Sequence, residues 1–252
     1  MIISIANQKG GVGKTTTTQS LAAGLVKRGF SVLSIDLDPQ SDLSTALAAD
    51  SESSSIYEVM NGSFDINDVI QKSNSGDIIP SNILLAASDI ELFQKMKREE
   101  ILKSSIKQLK QNYDFILIDT PPALGLLTIN AFTASDRIII PMGANKFSLQ
   151  AIGQLSNTIK QVQLHCNSNL VIDGILLTMY NSRTVLGKDF KSIISDVATN
   201  KLNSKLYNTF IRASISIQEA QTSDENIFDY DPNSNALIDY DKFVTEFLEG
   251  IN

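Results

Sequence analysis

Cysteine and histidine each occur once in this chain of 252 residues, and tryptophan is absent. The lone Cys166 cannot form an internal disulfide, complete a thiolate metal site or supply the ligands of an iron–sulfur cluster. His165 precedes it in a segment typical of a helix end, which favours a capping or surface role. No Ser/His/Asp triad or zinc site can therefore be assembled, and the cysteine count fits a reducing compartment.

Long apolar runs and long polar tracts are also missing. No apolar stretch reaches the length that spans a bilayer, and residues 1–5 lead into a Gly-rich segment without the features of a signal peptide. We therefore expect a soluble, unsecreted, cytoplasmic protein. With 42% hydrophobic residues and no Pro/Gly-rich linker, the chain predicts a single domain over residues 1–252.

Basic residues are fewer than acidic ones, and 21 against 28 gives a net charge of −7. This balance argues against a large nucleic-acid footprint, which needs clustered Lys and Arg. The distribution is uneven, because residues 181–212 hold six basic and two acidic residues, whereas residues 219–252 hold nine acidic residues and one lysine. The first stretch is locally +4, so the two stretches should behave differently.

Short β-branched runs alternate with segments that have the apolar spacing of helices. The runs are almost continuously apolar, which is typical of buried parallel strands. They lie at residues 2–6, 31–35, 115–118, 137–140 and 171–178, and the helical segments lie at residues 15–28, 101–111, 149–164 and 190–202. The alternation predicts an α/β fold with a doubly wound, mostly parallel sheet flanked by helices on both faces.

The strongest motif follows the first strand and opens the first helix, which is the context of a phosphate-binding loop. Its glycines let backbone N–H groups turn inward around a phosphate, and the helix N-terminus adds the positive end of its dipole. Lys14 would neutralise the β- and γ-phosphates, and the Thr15 hydroxyl would bind Mg²⁺. The alternative is a Gly-rich turn that only caps a helix. The motif consists of Lys9, Gly10, Gly11, Val12, Gly13, Lys14, Thr15 and Thr16.

Carboxylates end two of the predicted strands. Asp36 and Asp38 follow the second run, and Asp119 follows the run at residues 115–118. Because ligands of open α/β sheets gather at the carboxyl edge, Asp119 would hold Mg²⁺ through water. Two interpretations of Asp36 and Asp38 are equally favoured by the residues alone. They either act at the binding site or only end the strand and cap the next helix, since Asp beside Pro commonly starts a turn.

The motif at residues 9–16 resembles the deviant Walker A motif of the ParA/MinD family, with Gln8 at the usual first glycine position and an additional lysine, Lys9. Residues 34–40 are similar to the switch I segment of that family, and residues 114–122 to its Walker B strand and switch II. Residues 125–131 and 174–184 are similar to chromosomal, Soj-type members, so the likeness covers nearly the whole chain.

The resemblance implies roles for individual residues. Lys9 would reach across a dimer to the partner's nucleotide, and Asp38 would orient or activate the attacking water, so Lys9, Lys14 and Asp38 are the implied catalytic set. Asp36 would support the Mg²⁺ shell, and Asn181 falls where the family contacts adenine.

The resemblance further implies a cytoplasmic, nucleoid-associated ATP hydrolase that segregates plasmid or chromosomal DNA, with ATP and Mg²⁺ as its ligands. In this family ATP joins two subunits into a sandwich homodimer that binds DNA non-specifically. A ParB-type adaptor on its centromere stimulates hydrolysis and releases the dimer. We expect weak intrinsic hydrolysis, because a slow site makes a timed switch useful.

The chain departs from the family in its basic residues. Close relatives carry a proline and two arginines that serve DNA binding before a Ser-Glu-Ala triplet, whereas residues 211–220 here include Ala213 and Ser216. The alternative is that the remaining lysines only form a solvated helix face. The replacement DNA-binding candidates are Lys188, Lys191, Lys201, Lys205 and Arg212.

Other functions stay open as alternatives. A MinD-like regulator that positions itself on membranes needs a basic amphipathic C-terminal helix, but residues 240–251 are acidic. An ATP-gated DNA-binding regulator would carry an N-terminal helix-turn-helix, and the phosphate loop already begins at residue 9. A nitrogenase-reductase relative needs cluster cysteines that are missing, whereas a dethiobiotin-synthetase-like ligase does not.

Overall fold

The computed structural model describes residues 1–144, 148–223 and 225–251. Eight strands occur within these ranges and join in one sheet. They are β1 (Ile2–Ile5), β2 (Val32–Asp36), β3 (Gln71–Ser73), β4 (Gly76–Ile79), β5 (Phe115–Asp119), β6 (Arg137–Gly143), β7 (Val171–Thr178) and β8 (Lys205–Phe210).

The strand order is β3-β4-β2-β5-β1-β6-β7-β8, and every neighbouring pair is parallel except β3 and β4. In the centre of the sheet, β5 lies between β1 and β2, so that Asp119 is opposite Ile5 on one side and Asp36 on the other. The predicted strand-end carboxylates Asp36 and Asp119 are therefore neighbours at the carboxyl edge of the sheet.

Helices cover both faces of this sheet. They are α1 (Lys14–Lys27), α2 (Asp42–Ala46), α3 (Ile56–Asn61), α4 (Ser88–Glu91), α5 (Ile101–Ile106), α6 (Leu126–Ala134), α7 (Ser148–His165), α8 (Val185–Leu202), α9 (Ile215–Thr222), α10 (Ile227–Tyr230) and α11 (Asn235–Ile251). Successive strand residues point to opposite faces. Ile2 of β1 belongs to the core with α3 and α5 to α8, whereas Ile3 and Ile5 belong to the core with α1, α10 and α11.

The predicted doubly wound sheet and its five strands are confirmed, with small changes at the helix ends. The helix predicted at residues 190–202 begins earlier, at Val185, because the Thr184 hydroxyl accepts the N–H of Gly187 at 3.1 Å and caps it. The segment 101–111 is α5 followed by a 3₁₀ turn over residues 107–111.

The strands β3, β4 and β8 were not predicted, because they are short or lie toward the sheet edges. β3 and β4 form a hairpin, and Gly76, the first residue of β4, has φ 99°. A Cβ at Gly76 would lie 2.6 Å from the Val32 carbonyl oxygen, so the close approach of β4 to β2 also requires glycine there.

The C-terminal helix α11 packs its apolar side onto α1. Phe243 and Phe247 are fully buried, and a Cβ at Gly24 of α1 would lie 2.7 Å from Val244 Cγ2. The apolar face that a membrane-binding helix would expose is thus covered by the protein itself. Among the residues that the structure describes, no helix combines the length and apolarity that crossing a membrane requires.

Candidate functional site

The segment between β1 and α1 is a loop whose backbone depends on glycine. Gly11 and Gly13 have φ values of 68° and 82°, in the left-handed region that glycine adopts without strain. The loop is held by side chains on both flanks: Asn7 Nδ2 donates to the Pro141 oxygen at 2.7 Å, and Thr178 Oγ1 donates to the Val12 oxygen at 2.8 Å. The loop is therefore fixed in place by strands β6 and β7.

This loop has the form of an anion cradle. No other heavy atom lies within 4 Å of a Cβ built at Gly10 or Gly11, so the backbone faces open space there. Helix α1 begins at Lys14, whose side chain is buried with only 7% of the residue exposed. A buried ammonium beside free helix N–H groups favours a bound phosphate, as the motif predicted.

A hydroxyl and a carboxylate meet beside the cradle. Thr15 Oγ1 donates to Asp119 Oδ2 at 2.6 Å, and Thr18 Oγ1 lies 3.2 Å from Asp119 Oδ1. Burial, and then the neighbouring Asp36 carboxylate, raise the pKa of Asp119 to about 8. A cation at Asp119 would relieve this cost, so the pair fits Mg²⁺, which prefers oxygen ligands.

Asp36 is buried and both of its carboxylate oxygens already accept hydrogen bonds. Oδ2 accepts the backbone N–H and the hydroxyl of Ser44 at 2.9 and 2.7 Å, and Oδ1 accepts the N–H of Asp38 at 3.0 Å. Burial raises its pKa to about 6. The described contacts make Asp36 an anchor for the segment 38–44, and its charge lies close to Asp119.

Asp38 lies on that segment and lines the cavity beside the cradle. Its Oδ1 accepts the N–H of Gln40 at 3.0 Å, and the residue is half-buried. Burial raises the pKa of this carboxyl, while the charge of Lys14 opposes the rise. The structure thus brings Asp38, Lys14 and Thr15 around one space.

That space is a cavity of about 770 Å³ with two dissimilar walls. One wall carries the loop and the acidic residues Asp38 and Asp42. The other wall comes from the C-terminal part of the chain and was not predicted, because nothing in its local pattern marks it as a binding segment. Its residues are Thr178, Met179, Ile211, Arg212, Ala213, Ser214, Ile217, Gln218, Gln221 and Tyr240.

Three predicted nucleotide contacts, Lys9, Val12 and Asn181, lie outside this lining, and Val12 is buried. Asn181 is exposed in the turn after β7, where its Oδ1 accepts the N–H of Arg183 at 3.0 Å. Lys9 is half-buried, and its backbone N–H donates to Asn7 Oδ1 at 3.0 Å. Thr16 does line the cavity, and its hydroxyl accepts a hydrogen bond from Gln221 Nε2 at 3.1 Å.

The five predicted DNA-binding residues do not share one surface. Lys188 and Lys191 line an open groove of about 600 Å³ along α8, and Lys201 is exposed at the end of that helix. Lys205 Nζ lies 3.9 Å from Asp173 Oδ2. Arg212 lines the cavity instead, where Asp239 binds its guanidinium.

The arrangement suits a nucleotide with a divalent cation. Among the described residues, no group of three or more His, Cys, Asp or Glu side chains could hold a metal ion by itself. Thr15 and Asp119 would therefore share the cation with phosphate oxygens. Phosphates at the loop leave the cavity beyond it for the rest of the nucleotide.

Known proteins match this chain over most of its length. The family described as "AAA domain" matches residues 1–172. The sporulation initiation inhibitor protein Soj of Bacillus subtilis (strain 168) is 43% identical over 238 residues, with 92% of each chain covered. The chromosome-partitioning ATPase Soj of Treponema pallidum (strain Nichols) is 35% identical over 244 residues, which cover 96% of this chain and 94% of the relative.

A solved structure shows the same fold. Cobyrinic acid a,c-diamide synthase from Mycobacterium smegmatis, with bound ADP and magnesium, is 31% identical and has a TM-score of 0.82. The comparison covers 98% of this chain and 94% of that protein.

Proposed function

The chain belongs to the ParA/Soj family of partitioning ATPases, and on that premise we propose that it hydrolyses ATP to segregate DNA. The observation that carries this proposal is the phosphate cradle. Left-handed Gly11 and Gly13, the buried Lys14 and the Thr15–Asp119 hydrogen bond occur together at one cavity. ATP as the nucleotide is supported by the Soj protein of Treponema pallidum, which is named an ATPase, and by the similar solved structure that contains ADP.

The residues at the cavity suggest how hydrolysis proceeds. A water held by Asp38 attacks the γ-phosphorus, its oxygen forms the new bond as the bond to the bridging oxygen breaks, and the products are ADP and phosphate. The raised pKa of Asp38 makes it a better proton acceptor for that water. Lys14 neutralises charge that develops on the phosphates.

Thr15 and Asp119 would hold Mg²⁺, which supplies further neutralisation of phosphate charge when bound. Asp36 would support this shell indirectly, since its oxygens hold Ser44 and the backbone of Asp38. The remaining loop residues Gly10, Val12 and Thr16 complete the phosphate contacts, and Asn181 would contact adenine from the turn after β7.

We further infer an ATP-dependent homodimer. Lys9 does not line the cavity of its own subunit, which agrees with a role toward the partner's nucleotide. ATP would hold the two subunits together, and hydrolysis would part them. Intrinsic turnover is slow in this proposal, so that a ParB-type adaptor sets the time of release.

The dimer would bind non-specific DNA through basic side chains on α8, in the cytoplasm and on the nucleoid. Lys188 and Lys191 support this because they line one open groove together with hydroxyl side chains and a single carboxylate, Asp196, so that the basic groups outnumber the acidic one. We propose that the whole chain, residues 1–252, acts as one P-loop ATPase domain.

The test is size-exclusion chromatography of Asp38→Ala, which should bind ATP without cleaving it. With ATP and Mg²⁺ the variant should elute as a dimer, and with ADP as a monomer. A variant that binds ATP by calorimetry yet stays monomeric would refute the sandwich homodimer. Absence of ATP binding by the unmodified chain would refute the ATPase itself.

The similarity to cobyrinic acid a,c-diamide synthase supports a second candidate, an ATP-dependent amide-forming ligase. The two functions differ in what must accompany ATP. A partitioning ATPase releases phosphate from ATP and Mg²⁺ alone and is stimulated by DNA with the adaptor, whereas an amide-forming ligase releases phosphate only when both a carboxylic acid acceptor and a nitrogen donor are present. Phosphate release with and without acceptor separates them.

A further inference from the structure

The loop that follows β8 is held from behind by a carboxylate of α11. Three donors of Arg212 reach Asp239: the backbone N–H at 3.0 Å and Nε at 2.8 Å both donate to Oδ2, and Nη2 donates to Oδ1 at 2.7 Å. Asp239 is buried, with 6% of the residue exposed. A bidentate pair that also binds the backbone sets both the side chain and the path of the loop.

The next residue of α11 reaches the other side of the same cavity. Tyr240 is fully buried and lines the cavity, and its hydroxyl lies 3.3 Å from Thr17 Oγ1 in the first turns of α1. Tyr240 therefore contacts the helix that follows the phosphate loop, and Asp239, the residue before it, contacts Arg212 on the opposite wall.

The wall held by Asp239 has the chemistry of a nucleoside site. Its lining combines the apolar side chains Met179, Ile211 and Ile217 with polar ones, among them Gln218 and Gln221. The loop side of the cavity carries the carboxylates Asp38 and Asp42 instead. Apolar side chains with a few hydrogen-bonding groups favour a flat, uncharged base, and phosphates are favoured at the loop. The loop 211–214 is thus placed to contact the part of the nucleotide beyond its phosphates.

We propose that Asp239 is a positioning residue for the nucleotide, which fixes the loop 211–214 through Arg212 as the nucleoside wall of the cavity. The proposal rests on the proposed binding of ATP. It assigns Arg212 to the nucleotide site and removes it from the set of DNA-binding candidates. The consequence is that losing Asp239 weakens binding of the nucleoside part and leaves phosphate binding intact.

The experiment compares Asp239→Asn with a matched control on the same helix. Glu246 also lies on α11 and also accepts backbone N–H groups from β8, those of Asn208 and Thr209 at 2.7 and 2.8 Å, but it does not line the cavity. Glu246→Gln therefore reports what a lost carboxylate does to the packing of α11 alone. Calorimetry measures the Kd of each protein for ATP and for inorganic triphosphate, both with Mg²⁺.

Asp239→Asn should raise the Kd for ATP about tenfold, because a charge-assisted bidentate pair is lost, and leave the Kd for inorganic triphosphate within about twofold. In steady-state hydrolysis the KM for ATP should rise with little change in kcat. Glu246→Gln should match the unmodified chain for both ligands. Arg212→Lys, which keeps the charge but not the bidentate geometry, should show the same pattern more weakly.

Three results would overturn the proposal: unchanged ATP binding by a folded Asp239→Asn, equal weakening for ATP and triphosphate, or an equal effect of Glu246→Gln. Thermal melting of each variant shows that it is folded before its binding is compared. If the unmodified chain binds triphosphate but not ATP, the nucleoside wall is refuted; if it binds neither, the proposed ATPase function fails first.

Discussion

Thr15 Oγ1 and Asp119 Oδ2 are joined by a 2.6 Å hydrogen bond between residues 104 positions apart in the chain. The bond connects the start of α1 to the end of β5, so the phosphate loop and the strand-end carboxylate form one unit. The Thr15 hydroxyl stabilises a carboxylate whose burial is costly. A bound Mg²⁺ would stabilise the same carboxylate.

Asp119→Asn should lower ATP hydrolysis about 10- to 100-fold, because the amide removes the charge that helps to hold Mg²⁺. The requirement for Mg²⁺ should rise in the same variant, measured as phosphate release over a Mg²⁺ titration. Asp114→Asn is the control, since Asp114 lies just before the same strand and accepts the N–H and the hydroxyl of Ser31. If the two variants have equal Mg²⁺ requirements, Asp119 does not act on the cation.

The stability of the folded protein should depend on pH through the titration of Asp119. Its folded pKa of about 8 lies above the ordinary value of 3.8, so the folded protein holds a proton that the unfolded chain releases. This stabilisation is complete below about pH 4 and disappears as the pH rises toward 8. Without Mg²⁺, the melting temperature of the unmodified chain relative to Asp119→Asn should fall by about 5 °C or more over that window.

Asp36, whose pKa is raised to about 6, adds to the slope in the lower part of the same window in both proteins. Because the Asp36 carboxylate raises the pKa of Asp119, the comparison with Asp119→Asn reports the titration of Asp119 together with its coupling to Asp36. Parallel melting curves for the two proteins from pH 4 to 8 would show that Asp119 is not protonated in the folded state.

Lys9→Ala and Lys14→Ala should separate dimerisation from binding. Lys14 is buried beside the cradle, so its loss should weaken ATP binding by about 100-fold, which calorimetry measures. Lys9 does not line the cavity, so Lys9→Ala should bind ATP nearly normally but remain monomeric in size-exclusion chromatography. A Lys9→Ala protein that still dimerises with ATP would contradict the role inferred for this residue.

The double variant Lys188→Ala, Lys191→Ala should bind random-sequence duplex DNA more weakly in the presence of ATP. Two lost phosphate contacts should reduce the slope of log K against log salt by about 2. Lys205→Ala is the control, because Lys205 Nζ lies near Asp173 and 4.8 Å from the centroid of the Tyr207 ring. Fluorescence anisotropy over a salt series measures both slopes, and equal slopes for all three proteins would exclude the α8 groove.

Local patterns predicted the phosphate side of the site because its determinants lie close together in the chain. Continuous apolar runs mark buried parallel strands, and the ends of such strands meet at one sheet edge. Asp36 and Asp119 are indeed opposite each other in register. Glycine-rich spacing likewise marked Gly11 and Gly13, which adopt positive φ.

The other half of the site could not be predicted in this way. The sequence predicts a DNA-binding role for Arg212, because it does not show that Asp239, 27 positions later, lies beside it. Short strands such as β3 and β4 were missed, since their pairing depends on β2 more than on their own residues.

The family, the doubly wound sheet and the carboxylates at its carboxyl edge could be predicted from the residues, because they depend on periodicity and on a contiguous motif. Which segments face that edge depends on packing between parts of the chain that are far apart. The packing of α11 onto α1, through Gly24 and Val244, places Tyr240 at the cavity and Asp239 against Arg212, which lines the cavity. Such contacts arise from the burial of apolar faces distant in the chain, and no local pattern specifies which polar residues they bring together.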